Sequence, residues 1–247
     1  MFDPEAVRTR CNGMLAPSVY QHIYETARSA GGGVFVEVGT AHGAATVSLA
    51  LGLKASGRQG HVHTFEKIVG GTRERFGSIA ENEDIIRTNF RTFGVDDVVS
   101  LHIGGVDDLQ ANVREEREFA LLMLDADGRI DRDFGYFFDR LRPGAPIIID
   151  DVADLVRIKM KGSDRLTVDQ KHRLTHLLVE AFTSAGLVAC NERIRNTWFG
   201  TKREARWEDL PPSAVLAAYR SLVFGEADRP MRGLEKKWHR LTSRPRQ

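Results

Sequence analysis

Cysteine is scarce: Cys11 and Cys190 are the only two in 247 residues. Two thiols exclude a disulfide framework and a cysteine-rich metal site, and they fit a reduced, cytoplasmic setting. Long apolar runs are missing as well. No stretch approaches the ~20 residues needed to span a bilayer, so no membrane partner is expected. The opening Met1-Phe2-Asp3-Pro4-Glu5 lacks the basic-then-apolar layout of a secretion signal. A charge excess of either sign is absent, since 35 Lys and Arg face 34 Asp and Glu. That balance does not belong to a dedicated nucleic-acid binder. One local exception is the end of the chain, residues 229–247, where five Arg and two Lys face one Glu. Trp238 is its only aromatic residue, and a charge run without stacking partners reads as a solvated end. Repeats and low-complexity tracts are lacking too.

What is present is a regular alternation. Apolar, β-branched runs at 34–38, 61–66, 98–103, 119–125 and 145–150 read as buried parallel strands. Helical patterns lie between or around them at 16–29, 44–54, 80–93, 132–141 and 169–185. Residues 154–168 are polar and read as a loop leading into the last of these helices, in a position to cover a substrate. Leu187–Arg193 and Asn196–Thr201 are too close for a crossover helix and predict an antiparallel closing pair. The expected fold is α/β, with a mainly parallel sheet. Three divisions are expected: a helical region at 1–33, a core at 34–201, and a helical addition with a basic tail at 202–247.

The most informative stretch is Glu37-x-Gly39-x-x-x-Gly43, between the first strand and its helix. Ligands of open α/β sheets sit beyond the carboxyl ends of the strands, where glycines let backbone and ligand approach. The dinucleotide fingerprint needs a second glycine two residues after the first, and Ala41 stands there instead. This argues against a nicotinamide oxidoreductase. Glu37 points to a cationic ligand. Glu66, at the end of the second strand, can accept from both hydroxyls of a ribose. The segment Gly104-Gly105-Val106-Asp107-Asp108 can line an adenine pocket, or its aspartates can cap a helix.

An acidic set completes the inventory. Asp125 and Asp127 follow the fourth strand, and Asp150 and Asp151 follow the fifth. Carboxylates converging on one rim repel unless a cation lies between them, and an all-oxygen set suits Mg²⁺ or a similar hard ion. The alternative is that they cap helices or meet Arg129 or Arg157.

The series Val34–Gly43, Phe65-Glu66, Leu124-Asp125-Ala126-Asp127 and Ile149-Asp150-Asp151-Val152 resembles a class I S-adenosylmethionine-dependent methyltransferase. It is most similar to the metal-dependent O-methyltransferases of the catechol and caffeoyl-CoA type and their bacterial natural-product and sugar relatives. The resemblance covers about residues 14–200. It implies a Rossmann-like, seven-stranded, mainly parallel sheet with one antiparallel strand and helices on both faces. It implies that Glu37, Gly39, Thr40 and Gly43 surround the methionine part of S-adenosylmethionine, that Glu66 holds the ribose, and that Val106 and Asp107 edge the adenine. Asp125, beside the cofactor, would bind Mg²⁺ with Asp150 and Asp151. The helix at 16–29 would form a lid. The implied reaction is methyl transfer to a hydroxyl of a small molecule with vicinal oxygens, by a homodimer. Two departures stand out. The catechol enzymes usually carry Asn where Asp151 stands, and a lysine base where Gly128 stands. His172 and Lys159 are the basic candidates in its place, with His42 and Lys161 behind them. A metal-independent methyltransferase, or one acting on nucleic acid, is the alternative reading.

Overall fold

The structure, a computed structural model, describes residues 1–67, 79–104, 111–125, 127–161 and 165–224. Its centre is a seven-stranded sheet: β1 (Gly33–Val38), β2 (Gly60–Glu66), β3 (Val99–Ile103), β4 (Leu121–Leu124), β5 (Pro146–Ile149), β8 (Val188–Ile194) and β9 (Thr197–Lys202). The spatial order is β3-β2-β1-β4-β5-β9-β8. Pairs among β1 to β5 are parallel, and β9 runs antiparallel to both neighbours. One reversed strand in seven is what the short spacing before Asn196 predicts.

β4 and β5 are apolar throughout because both of their faces are covered. Leu121 and Met123 point to one face, and Leu122 and Leu124 to the other. The first face is covered by α1 (Pro4–Arg10), α2 (Pro17–Ser29), α3 (Ala44–Ala55) and α4 (Ile79–Thr92). α2 lies so close on α3 that a Cβ on Gly52 would come within 2.4 Å of the Tyr24 carbonyl. α1 is absent from the sequence reading although its signals are present. Pro4 opens it, and the Asp3 carboxylate accepts from the Glu5 and Ala6 amides at 3.0 Å. Seven residues carry too little periodicity to be noticed.

The second face is covered by α5 (Ile130–Phe137), α6 (Lys171–Ser184) and α7 (Pro212–Phe224). Phe134, Phe138 and Phe182 cluster there with Trp207. α7 rests on α6, and Ala218 enters the core. The basic run 229–247 lies outside the described residues.

One expectation is corrected. The polar stretch 154–168 contains an antiparallel pair, β6 (Arg157–Lys161) and β7 (Arg165–Asp169), forming its own two-stranded sheet. Ile158 and Met160, then Leu166 and Val168, alternate with polar residues, but two apolar residues per strand in a mostly polar stretch make a short period-two signal.

Candidate active site

The strand register sets the site. Asp125 N donates to Val38 O (2.8 Å), Asp150 N to Leu124 O (3.0 Å) and Gly39 N to Phe65 O (2.9 Å). The ends of β2, β1, β4 and β5 therefore lie side by side. Glu66, the glycine turn, Asp125 and Asp150 share one rim, as the sequence predicts for a parallel sheet.

The turn at 39–43 is wound by three positive φ angles: Gly39 at 105°, Ala41 at 49° and Gly43 at 87°. Ala41, which stands where the fingerprint would have glycine, adopts the left-handed conformation anyway. It is held there by its amide, which donates to Glu66 Oε2 at 2.7 Å. α4 braces the turn from outside. Asn89 Nδ2 donates to the His42 carbonyl at 2.8 Å, and a Cβ on Gly43 would meet the Phe90 ring at 2.7 Å. Thr40 Oγ1 lies 2.6 Å from Thr64 Oγ1.

Glu37 lies fully buried beneath this turn. Its Oε2 accepts from Thr46 and from Thr64 (2.6 Å), while Oε1 has no partner. Burial pushes its carboxyl up to about 7, against the two threonine hydrogen bonds and with help from Asp125. A buried carboxylate oxygen without a donor, under a glycine turn, fits the cationic sulfonium and ammonium end of S-adenosylmethionine. Glu66, also buried, fits a ribose. Val106 and Asp107 lie outside the described residues.

The acidic residues separate into two kinds. Asp127 forms a mainly structural pair: Arg132 lies 3.0 Å away, and the Arg129 amide donates to it at 3.1 Å. Asp125, Asp150 and Asp151 converge, each offering an oxygen within 4.8 Å of the others. Successive strand residues point to opposite faces, so Asp150 and Asp151 should diverge. They do not, because Asp151 has φ 58° and the chain turns back under it. Aspartate and asparagine are the side chains most tolerant of that conformation, which accounts for either residue at this place. Thr197, on β9, donates to Asp150 Oδ1 at 2.6 Å. Three carboxylates of this kind fit a hard divalent ion.

The start of α6 completes the cluster. Lys171 Nζ lies 2.7 Å from Asp151 Oδ2 and 3.2 Å from Asp125 Oδ1. His172 Nε2 lies 2.7 Å from Asp151 Oδ1 and is buried. The stem of Lys171 crosses Gly128, where an added Cβ would be 3.0 Å from Lys171 Cγ. Gly128, where the resemblance would set a lysine, thus makes room for a lysine 43 residues further on. Lys171 escapes the sequence reading, yet it leaves a signal. α6 opens Lys171-His172-Arg173 with no acid in its first turn, against the helix dipole. Such a start needs carboxylates from elsewhere.

These contacts set the ionisation of the cluster. Burial pushes Asp125 up to about 7, opposed by Lys171 and reinforced by Asp150 and Asp151. Burial and Asp151 also raise Asp150, against Thr197. Asp151 is buried too, but His172 and Lys171 hold it well below the usual carboxylate range. Burial pushes the Tyr20 hydroxyl of α2 up to about 12, against the Leu15 amide that donates to it, and the charges of Asp125 and Asp150 add to this. Lys159 pairs with Thr167 through the backbone of β6, and its side chain, like that of Lys161, lies outside the described residues.

Residues 36–152 match a family described as a methyltransferase domain. The match runs from β1 to just past the Asp150-Asp151 pair. No curated protein matches the sequence significantly. Among solved structures, an O-methyltransferase from Bacillus cereus in complex with S-adenosylhomocysteine is 21% identical, with TM-score 0.56 over 81% of this chain and 90% of that one. A protein from Staphylococcus aureus described as a caffeoyl-CoA O-methyltransferase is 15% identical, with TM-score 0.62 over 82% and 93%. The O-methyltransferase TomG from Streptomyces achromogenes, involved in tomaymycin synthesis and solved with S-adenosylmethionine, is 16% identical, with TM-score 0.57 over 81% and 89%. At these identities the likeness shows the fold. Residues 36–152 thus carry a methyltransferase-domain match, on a chain with the fold of the O-methyltransferases.

Proposed function

We propose that this enzyme transfers a methyl group to a hydroxyl oxygen of a small molecule with vicinal oxygens, a catechol or a sugar or natural-product diol, with Mg²⁺ held by Asp125, Asp150 and Asp151. The observation that carries this reading is the convergence of those three carboxylates on the rim that also carries the glycine turn. In this reading Glu37, Gly39, Thr40 and Gly43 surround the methionine part of the cofactor, Glu66 holds the ribose, and Asp125 stands between cofactor and metal. S-adenosylmethionine supplies a methyl already activated on sulfur. Mg²⁺, when bound, would lower the pKa of the acceptor hydroxyl and fix its direction. The chain's own part is alignment, the proximity contribution to the rate.

Basic groups divide the remaining work. His172 touches Asp151 and is buried, so it acts as a positioning residue for that carboxylate. Lys171 is the amine at the triad and the stronger candidate to meet the acceptor oxygen, with Lys159 on the neighbouring hairpin behind it. Residues 1–33 act as the lid, with Tyr20 within the field of Asp125 and Asp150. We take the working form to be a cytoplasmic homodimer, which light scattering of the purified protein would check.

A second reading, a metal-independent methyltransferase, is favoured by the same lysine, whose ammonium already bridges two of the three carboxylates. Isothermal titration of S-adenosylhomocysteine and of Mg²⁺, with an EDTA control, into wild type and Asp150→Asn decides between them. Mg²⁺ binding that Asp150→Asn abolishes, with cofactor binding retained, supports the first reading. Cofactor binding with no Mg²⁺ binding to wild type supports the second. Absence of cofactor binding would sink both.

A further inference from the structure

We infer that Lys171 is a displaceable internal counter-ion: its ammonium fills the place between Asp125 and Asp151 that a divalent ion needs, so the ion enters only by driving it out. The inference rests on the metal reading above. Nζ touches one oxygen of each carboxylate, at 3.2 and 2.7 Å. An Mg²⁺ bonds carboxylate oxygens at about 2.0–2.1 Å, so an ion joined to these same oxygens would crowd an ammonium that already sits 2.7 Å from one of them. Two cations do not share that space. The third carboxylate, Asp150, is held separately by Thr197 and has no part in the lysine pair. It is the most buried of the three, at 7% exposed, and forms the floor of the cluster.

The surroundings allow the exchange. Lys171 is attached at the first residue of α6, where a positive charge gains nothing from the helix dipole. Its side chain is 21% exposed, so a path to solvent exists. The four-carbon stem passes over Gly128, which presents no side chain to trap it. His172, by contrast, is 2% exposed and has nowhere to go. It keeps Asp151 oriented while Lys171 leaves. The design holds three converging carboxylates folded without metal, and it sets metal affinity by the ease of expelling one amine. The expelled amine stays tethered at the mouth of the site, where an acceptor would lie.

Two measurements test this. The first is Mn²⁺ binding, followed by loss of the free-ion electron paramagnetic resonance signal, on wild type, Lys171→Met and Asp150→Asn. Lys171→Met should bind Mn²⁺ at least tenfold more tightly than wild type, and Asp150→Asn should bind it more weakly. Equal or weaker binding by Lys171→Met would overturn the inference and leave the metal site standing. No Mn²⁺ binding by wild type or Lys171→Met would overturn the metal reading and this inference together. The second needs no variant and guards against a misfolded one. Acetic anhydride labelling of wild type, read by mass spectrometry, should modify Lys171 several-fold faster with saturating Mn²⁺ than without. Labelling unchanged or slowed by bound Mn²⁺ overturns the inference.

Discussion

The two halves of the rim are built on opposite plans. The glycine-turn half is local: residues 37 to 43 supply its walls, and α4 clamps it through Asn89 and Phe90. The acidic half is assembled from residues 125, 150, 151, 171, 172 and 197, on four elements or their ends. A local turn keeps its shape if one distant contact fails. A site gathered from four places depends on each. The glycine-turn half should therefore be less sensitive to changes elsewhere in the chain than the acidic half, into which Lys171 reaches over Gly128.

Substitutions can break that contrast. The largest effect is expected from Asp150→Asn: methyl transfer should fall by more than the 10–100-fold typical of losing a supporting group. Binding of S-adenosylhomocysteine, measured by calorimetry, should stay within about twofold because the turn is independent. A comparable loss of cofactor binding would show the two halves to be one unit.

Gly43→Ala attacks the other side. The new Cβ meets Phe90 at 2.7 Å with φ at 87°, and the cost should be about 2–4 kcal/mol in urea unfolding. Cofactor affinity should fall with it, while Mn²⁺ binding at the triad survives. Thr197→Val sharpens the comparison. It leaves Asp150 Oδ1 without its donor and should cost about 1–3 kcal/mol. It should weaken metal binding and leave the cofactor untouched.

Glu37 gives a pH test. Its carboxyl is raised from 4.5 to about 7 by burial, so the folded state holds the proton more tightly than the unfolded chain. The stability this contributes is complete below pH 4.5 and is lost as pH rises through 7. Glu37→Gln cannot ionise and lacks that loss. Its melting temperature relative to wild type should rise between pH 5 and pH 8, by an amount corresponding to up to about 3 kcal/mol. A difference independent of pH would contradict the buried carboxyl. The smallest effect belongs to Ala41→Gly. Relief of the left-handed conformation at φ 49° should outweigh the added chain freedom by at most about 1 kcal/mol.

Legibility followed the same division. The strands of the main sheet were readable because each is a short apolar run between turn residues, and burial on both faces demands that composition. The hairpin at 157–169 was not, since its alternation spans only two apolar residues per strand within a mostly polar stretch. The glycine turn, Glu66 and the three aspartates were readable because strand ends project to one rim in any parallel sheet. Lys171 was not, because its partners are 20 and 46 residues away and only packing brings them together. The pairing of Asp127 with Arg132 was likewise invisible, since Asp125 and Asp127 look equivalent in the sequence.

The sequence by itself thus determined the order of the main-sheet strands and of the longer helices between them, the turn at 39–43 and the carboxylates at the strand ends, all of which follow from periodicity and local backbone preference. Only the tertiary structure decided that Asp151 turns back at φ 58°, that Asp127 pairs with Arg132, and that Lys171 stands between Asp125 and Asp151. Local rules fix where a residue sits along its own element. The distances between charges on different elements are fixed by how those elements pack, and the chemistry of this site depends on those distances.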